Sequence, residues 1–221
     1  MNRDPSSFMG QRGARLGARF WYCFTPMLSH YQQPQMFLRF GDDIPRVNLM
    51  YRTPLIQGPD SHYYLDLRAI RVGNARLRIN RSVFQLREDG LGGTYINSGS
   101  RDTWLIDVAY REFGRELRHT MAPRYPKMKA FRQGGSLCFT QSKGVRTVFP
   151  VVKFHFANGA EFVIKQEAYV KDFGSAGLCS LIMPSDKSTV LGARQQVNHR
   201  IIYDIANSEL QFERTDCSRR N

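Results

Sequence analysis

Gly92-Gly93-Thr94-Tyr95-Ile96-Asn97-Ser98-Gly99-Ser100 runs an apolar pair straight into a polar turn that carries two hydroxyls and a glycine. Tyr95 and Ile96 suit a short strand, and Asn97-Ser98-Gly99 suits the tight turn that ends it. A helix is predicted just beyond. Asp107 is placed to cap it, and Tyr110, Phe113, Gly114 and Leu117 fall at i, i+3, i+4 and i+7. Read alone, the segment is an ordinary Asn-Ser-Gly turn between a strand and a helix.

Outward from this point the chain reads as short strands punctuated by turns. Residues 63–72 are rich in aromatic and aliphatic side chains and run into Gly73-Asn74, with Leu77 and Ile79 starting a return strand. Val152, Phe154 and Phe156 alternate with Lys153 and His155, and Asn158-Gly159 leads to a partner strand over 161–164. Further strands are predicted over 179–183, 189–191, 200–205 and 210–212, with Ala206-Asn207-Ser208 turning between the last two. Residues 1 to 60 are looser, broken by Pro26, Pro34, Pro45, Pro54 and Pro59. The fold class is therefore mainly β, with one or two short helices.

Composition excludes several classes. At 42% hydrophobic and 23% charged residues, the 221-residue chain has the balance of a globular domain rather than a disordered one. No apolar run approaches the roughly 18 residues of a membrane helix. The start, Met1-Asn2-Arg3-Asp4-Pro5, is polar and reads as no signal peptide. A net charge of +13 invites a nucleic-acid reading. Against it, basic residues are spread from Arg12 and Arg15 to Arg219 and Arg220, and no recognised nucleic-acid motif appears, so neither nucleic acid nor membrane is expected as partner. The four cysteines, Cys23, Cys138, Cys179 and Cys217, form no C-x-x-C pair, which argues against zinc. They fit either two long-range disulfides, in any of three pairings, or four buried thiols. His30, His62, His119, His155 and His199 are isolated, and His155 reads as a solvent-facing strand residue. Asp102, Asp107 and Asp204 read as caps or turns, and Gly10, Gly13 and Gly17 make no phosphate loop. No serine sits in a G-x-S-x-G elbow. No metal and no cofactor are expected.

The 92–100 segment resembles the second active-site loop of pepsin-like aspartic proteases, where an apolar pair precedes Asp-Ser/Thr-Gly-Ser/Thr. Other segments match in the same order. Phe20-Trp21-Tyr22-Cys23 and Phe37-Leu38-Arg39-Phe40-Gly41 resemble the entry to the second lobe in nepenthesin-like and xylanase-inhibitor-like plant members. Thr53-Pro54-Leu55, Tyr63-Tyr64-Leu65-Asp66-Leu67 and Ile70-Arg71-Val72-Gly73 are similar to the approach to the loop. Leu137-Cys138-Phe139, Phe149-Pro150 and Phe154-His155-Phe156 follow. Val190-Leu191-Gly192 resembles the strand that supports the loop, and Arg194-Gln195-Gln196, Tyr203-Asp204 and Thr215-Asp216-Cys217 close the register. The resemblance implies a pepsin-like second lobe over 62–217, preceded by an entry segment over 1–61 and followed by a tail over 218–221. It also implies disulfides Cys138–Cys179 and Cys23–Cys217, delivery to the cell exterior or the vacuole, and a polypeptide substrate or an inhibited enzyme as partner.

At the decisive position stands Asn97. Aspartic-protease chemistry needs two carboxylates that share a proton, one acting as base on water and the other as acid. No Asp-Thr/Ser-Gly occurs in this chain, and an amide does not ionise. Pairing two copies would oppose two asparagines. In the family the hydroxyl at Ser100 braces the loop, Gly99 allows its path and Ser98 keeps its polar character, so the resemblance implies an endopeptidase-family lobe without turnover. Four readings compete: a degenerate protease lobe, a xylanase-inhibitor-like module that binds glycoside hydrolases, nucleic-acid binding through charge, and an incomplete gene whose upstream part encodes the first lobe. A lone lobe would expose the face that meets its partner lobe, and self-association through that face, a binding partner or poor solubility is expected.

Overall fold

The computed structural model describes residues 8–26, 36–41, 50–141 and 144–218. The polar start, His30, Pro34, Pro45, Arg219 and Arg220 lie outside the described residues, as does most of the 218–221 tail.

The alternation at 152–156 forms the strand Val152–Phe156, with Val152, Phe154 and Phe156 buried and Lys153 and His155 half-buried. It pairs antiparallel with Glu161–Ile164 across Asn158-Gly159, whose φ values of 59° and 70° suit a tight reversal. On its other edge it pairs with Leu67–Val72, which pairs in turn with Ala75–Arg76. These four strands make one sheet. The return strand of the 63–72 hairpin is thus only Ala75–Arg76, although the Leu77 amide still reaches the Ile70 carbonyl at 2.9 Å.

Residues 63–72 are two strands, not one. Tyr63–Leu65 and Leu67–Val72 lie in different sheets, with Asp66 at the corner. The Asp66 carboxylate accepts from Arg81 at 2.7 and 2.8 Å, and its carbonyl accepts from the Ala157 amide at 3.0 Å. Leu65 and Leu67 on either side are both buried, so the chain changes sheets without leaving the core. The 179–183 prediction divides in the same way, into Leu178–Ser180 and Ile182–Ser185. Between them the Ser180 hydroxyl accepts from the Ile182 amide at 3.1 Å.

The largest sheet has ten strands, in the order Ile182–Ser185, Thr103–Ile106, Thr189–Gly192, Thr94–Asn97, Tyr63–Leu65, Tyr51–Ile56, Glu209–Arg214, His199–Asp204, Arg19–Phe24 and Met36–Phe40. The third sheet orders Val170–Asp172, Leu178–Ser180, Ser136–Phe139 and Ala130–Gln133. Among the described residues three α-helices accompany them. Phe8–Arg12 and Gln166–Tyr169 are single turns, and Asp107–Met121 is the long one. Its predicted stripe of Tyr110, Phe113, Gly114 and Leu117 is buried. Asp107 does not cap it: Ile106 holds the cap position and makes no side-chain cap bond. Asp107 instead lies in the first turn, where a carboxylate favours the positive end of the helix dipole.

The main core gathers Leu105, Phe113, Leu117, Phe154, Phe162, Leu191 and Ile201, all fully buried. A second cluster of Trp21, Cys23, Ile202 and Cys217 covers the other face of Arg19–Phe24, which is why that strand reads as a continuous apolar run. Cys23–Cys217 bonds within this cluster and closes a 194-residue separation. Cys138–Cys179 joins directly opposed residues of two strands, with a separation of 41. On loop length alone the two bonds are worth about 5 and about 4 kcal/mol. No described cysteine is free.

Candidate functional site

Thr94–Asn97 ends at the loop and Thr103–Ile106 leaves it, yet the two strands are not neighbours. Thr189–Gly192 lies between them, parallel to the first (Asn97 opposite Gly192) and bridged antiparallel to the second at Val190 and Trp104. The loop over 98–102 therefore crosses the end of the strand it straddles. That crossing requires Gly192, because a Cβ there would overlap the Asp102 carbonyl and lie 2.9 Å from the Thr103 amide.

Hydrogen bonds fix each turn of the path. The Asn97 side-chain oxygen accepts from the Gly99 amide at 2.8 Å, and the Asn97 carbonyl accepts from the Ser100 amide at 3.3 Å. The Ser100 hydroxyl donates to the Asp102 carbonyl at 3.1 Å. From beyond the central strand, the Ala193 amide donates to the Ser100 carbonyl at 2.7 Å and the Arg194 amide to the Arg101 carbonyl at 2.9 Å. Gly192 thus lies directly beneath the loop, with Val190 and Leu191 alongside Tyr95 and Ile96 in the strand before it, while Ser98 and Gly99 are exposed and Asn97 is half-buried.

Several residues to which the sequence assigns no bracing role hold the loop in place. Gln195, fully buried, accepts from the Thr103 amide at 2.9 Å and donates to the Ala168 carbonyl at 2.7 Å. The Thr103 hydroxyl in turn accepts from the Gly192 amide at 3.0 Å. Gln196 donates to the Leu191 carbonyl at 2.7 Å and accepts from the Tyr22 hydroxyl at 2.6 Å. Tyr22 also meets the Tyr203 hydroxyl at 3.1 Å and the Ser98 side chain. Burial raises the Tyr22 hydroxyl well above a tyrosine's ordinary range, despite those two bonds, so it stays neutral. Asp102 is neither cap nor turn. Its buried carboxylate accepts from Arg194 at 2.7 Å and Arg101 at 2.8 Å. Asp204 does serve a turn, accepting from the Asn207 amide and side chain at 3.1 and 3.0 Å. The one signal for these residues in the sequence is the polar run Arg194-Gln195-Gln196 directly after an apolar strand.

An aromatic shelf adjoins the loop. Tyr95 and Asn97 occupy the same face of their strand by alternation, and the His62 ring lies 4.3 Å from Tyr95. His62 is not isolated: its Nδ1 is 2.8 Å from Asp60, whose carboxylate also accepts from the Tyr64 hydroxyl at 3.2 Å. Burial and the neighbouring Asp60 push Tyr64 up to about 12. Burial works to raise Asp60, but the His62 amide and ring outweigh it and the carboxyl is lowered.

The chemistry available at Asn97 follows from its one fixed bond. A carboxylate at this position could accept the same Gly99 amide and present its second oxygen outward. The asparagine keeps the inner acceptor and turns an NH2 outward instead, a donor that neither takes up nor releases a proton. The Asn97 side chain thus braces the loop through its oxygen and, being an amide, is itself neither a general acid nor a general base.

A family model described as xylanase inhibitor C-terminal matches residues 62–214. Aspartic proteinase nepenthesin-1 from Nepenthes gracilis is 29% identical over 98% of this chain and 49% of its own length. Aspartyl protease family protein 2 from Arabidopsis thaliana is 30% identical over 99% of this chain and 45% of its own length. The chain spans about half the length of the curated relatives it matches. Among solved structures, that of edgp superposes with a TM-score of 0.80 at 17% identity, covering 98% of this chain and 59% of the other. Basic 7S globulin from soybean gives 0.77 at 19%, with 98% and 58% covered. Identities that low speak to the fold alone.

Proposed function

The chain belongs to the xylanase inhibitor C-terminal family, as a C-terminal lobe of the plant pepsin-like protease type, and from that premise we propose that its Asn97 loop keeps the form of an aspartic-protease site without its acid–base chemistry. The observation that carries this reading is the bond from the Gly99 amide to the Asn97 side-chain oxygen, which supports the loop in the place where an ionisable oxygen would work. In this role Asn97 occupies the catalytic aspartate position, Ser98, Gly99 and Ser100 form the loop, and Val190, Leu191 and Gly192 support it. Its ligands are polypeptides in extended form. The exterior or the vacuole is its place of action, which two disulfides suit.

Even beside a first lobe that supplies one aspartate, a dyad with Asn97 holds a single carboxylate, and one carboxylate cannot be base and acid in the same step. The test is digestion of an unfolded protein substrate at acid pH by the purified protein, with and without an aspartic-protease transition-state mimic. No cleavage is expected. Cleavage abolished by the mimic would overturn the proposal.

A further inference from the structure

The sheet built on Val152–Phe156 has an outer face whose charges its register aligns. Lys153 stands opposite Arg71, and Arg71 opposite Arg76, so three cations form one row across three strands. The row ends at Val163, opposite Lys153. Neighbours in such a row are about 5 Å apart, and like charges directly opposite each other destabilise a sheet. Two consecutive like-charge pairs are therefore a cost to folding. Arg71 and Arg76 are exposed, and their described hydrogen bonds go to backbone carbonyls, of Asn74 at 3.3 Å and Arg68 at 3.5 Å, not to carboxylates. Among the described residues only Lys153 of the three has an acid, Glu161 at 2.8 Å. The adjacent row holds Glu161, His155 and Ala69. Burial lowers His155, and Arg71, Lys153 and Arg76 add to that against the opposing pull of Glu161.

We propose that this row is a binding site for a linear polycarboxylate glycan, laid across the strands with successive carboxylates on Arg76, Arg71 and Lys153. Guanidinium groups bind carboxylates in paired, planar fashion, and the row offers two of them at a spacing suited to one charge per sugar. The occupant is chosen by what else the face carries. Single-stranded nucleic acid wants aromatic platforms for its bases, and the two rows offer none but His155. A membrane surface wants apolar side chains to insert, and the rows offer only Val163 and Ala69. The site is independent of the Asn97 loop and does not rest on the function proposed for it.

The test is titration of the protein with oligogalacturonate at low salt, with its fully methyl-esterified form as a neutral control. Binding to the acid form alone is expected, weakening as salt rises. The double variant Arg71→Gln/Arg76→Gln should lose about tenfold or more in affinity. Arg111→Gln/Arg124→Gln, which removes the same charge from exposed positions elsewhere, should lose little. Glu161→Gln, which frees Lys153, should bind more tightly. Equal loss in the two double variants would mean that diffuse net charge does the binding, and would overturn the proposal. So would absence of binding, or tighter binding of a DNA oligonucleotide or anionic vesicles at matched charge.

Discussion

Two regions of the molecule treat polar groups in opposite ways. Around the 98–102 loop the buried polar side chains of the crossing are partnered: Thr103 with Gly192, Gln195 with Thr103 and Ala168, Gln196 with Tyr22 and Leu191, Asp102 with two arginines. On the outer face of the sheet built on Val152–Phe156, cations face cations with one acid among them. The first region is determined several times over, with the neutral amide of Asn97 at its edge. The second spends stability on a row of like charges in which Arg71 and Arg76 have no described carboxylate partner and Lys153 has Glu161. Backbone bonds and buried side chains fix the loop at several points besides the bond from Gly99 to Asn97.

The sharpest break is at Gly192. Gly192→Ala drives a methyl into the Asp102 backbone, which cannot yield without opening the crossing, and should destabilise by about 3 kcal/mol or more in chemical denaturation. A loss below 1 kcal/mol would show that the loop is not held against this strand.

Of similar size is a pH effect on the inner side of the same sheet whose outer face is charged. His199 stacks on Phe162 at 4.2 Å, and burial holds its imidazole down to about 4 from an unfolded value near 6.5. Between those values the unfolded chain takes up a proton that the native protein does not. Stability should therefore fall as pH drops from 6.5 to about 4, by about 3 kcal/mol in full. His199→Phe should remove that part of the slope, and an unchanged slope in the variant would contradict the assignment.

Gln195→Ala leaves the Thr103 amide buried without its acceptor and should cost about 1–3 kcal/mol. At the small end, Arg71→Thr relieves two like-charge pairs and should stabilise by up to about 1 kcal/mol, less in high salt. A loss of stability there would mean that the row is compensated within the fold, and the contrast between the regions would fail.

What could be read from the sequence was local. The 152–164 hairpin declared itself by alternation and Asn158-Gly159, and the Asp107–Met121 helix by its stripe. The breaks at Asp66 and Leu181 did not, because a strand that changes sheets keeps apolar residues on both sides of the corner and leaves no gap in the pattern. Asp107 carried the chemistry of a cap but fell one residue inside the helix. The parallel pairing of Thr94–Asn97 with Thr189–Gly192 joins segments far apart in the chain, and neither announces the other; their association came only through resemblance. Gln195 and Asp102 were hidden for a different reason. Burial of a polar side chain depends on a partner elsewhere in the chain, such as Thr103 for Gln195 and Arg194 for Asp102, and no periodicity encodes it.

The role proposed for Asn97 requires that its amide hold the loop as a carboxylate would. Hydrogen exchange of the Gly99 amide, compared at neutral pH between the unaltered protein and Asn97→Asp, tests it most directly. Protection well above the unfolded-chain rate in both proteins, and similar between them, is the predicted result. A Gly99 amide that exchanges freely in the unaltered protein and becomes protected only in Asn97→Asp would contradict it.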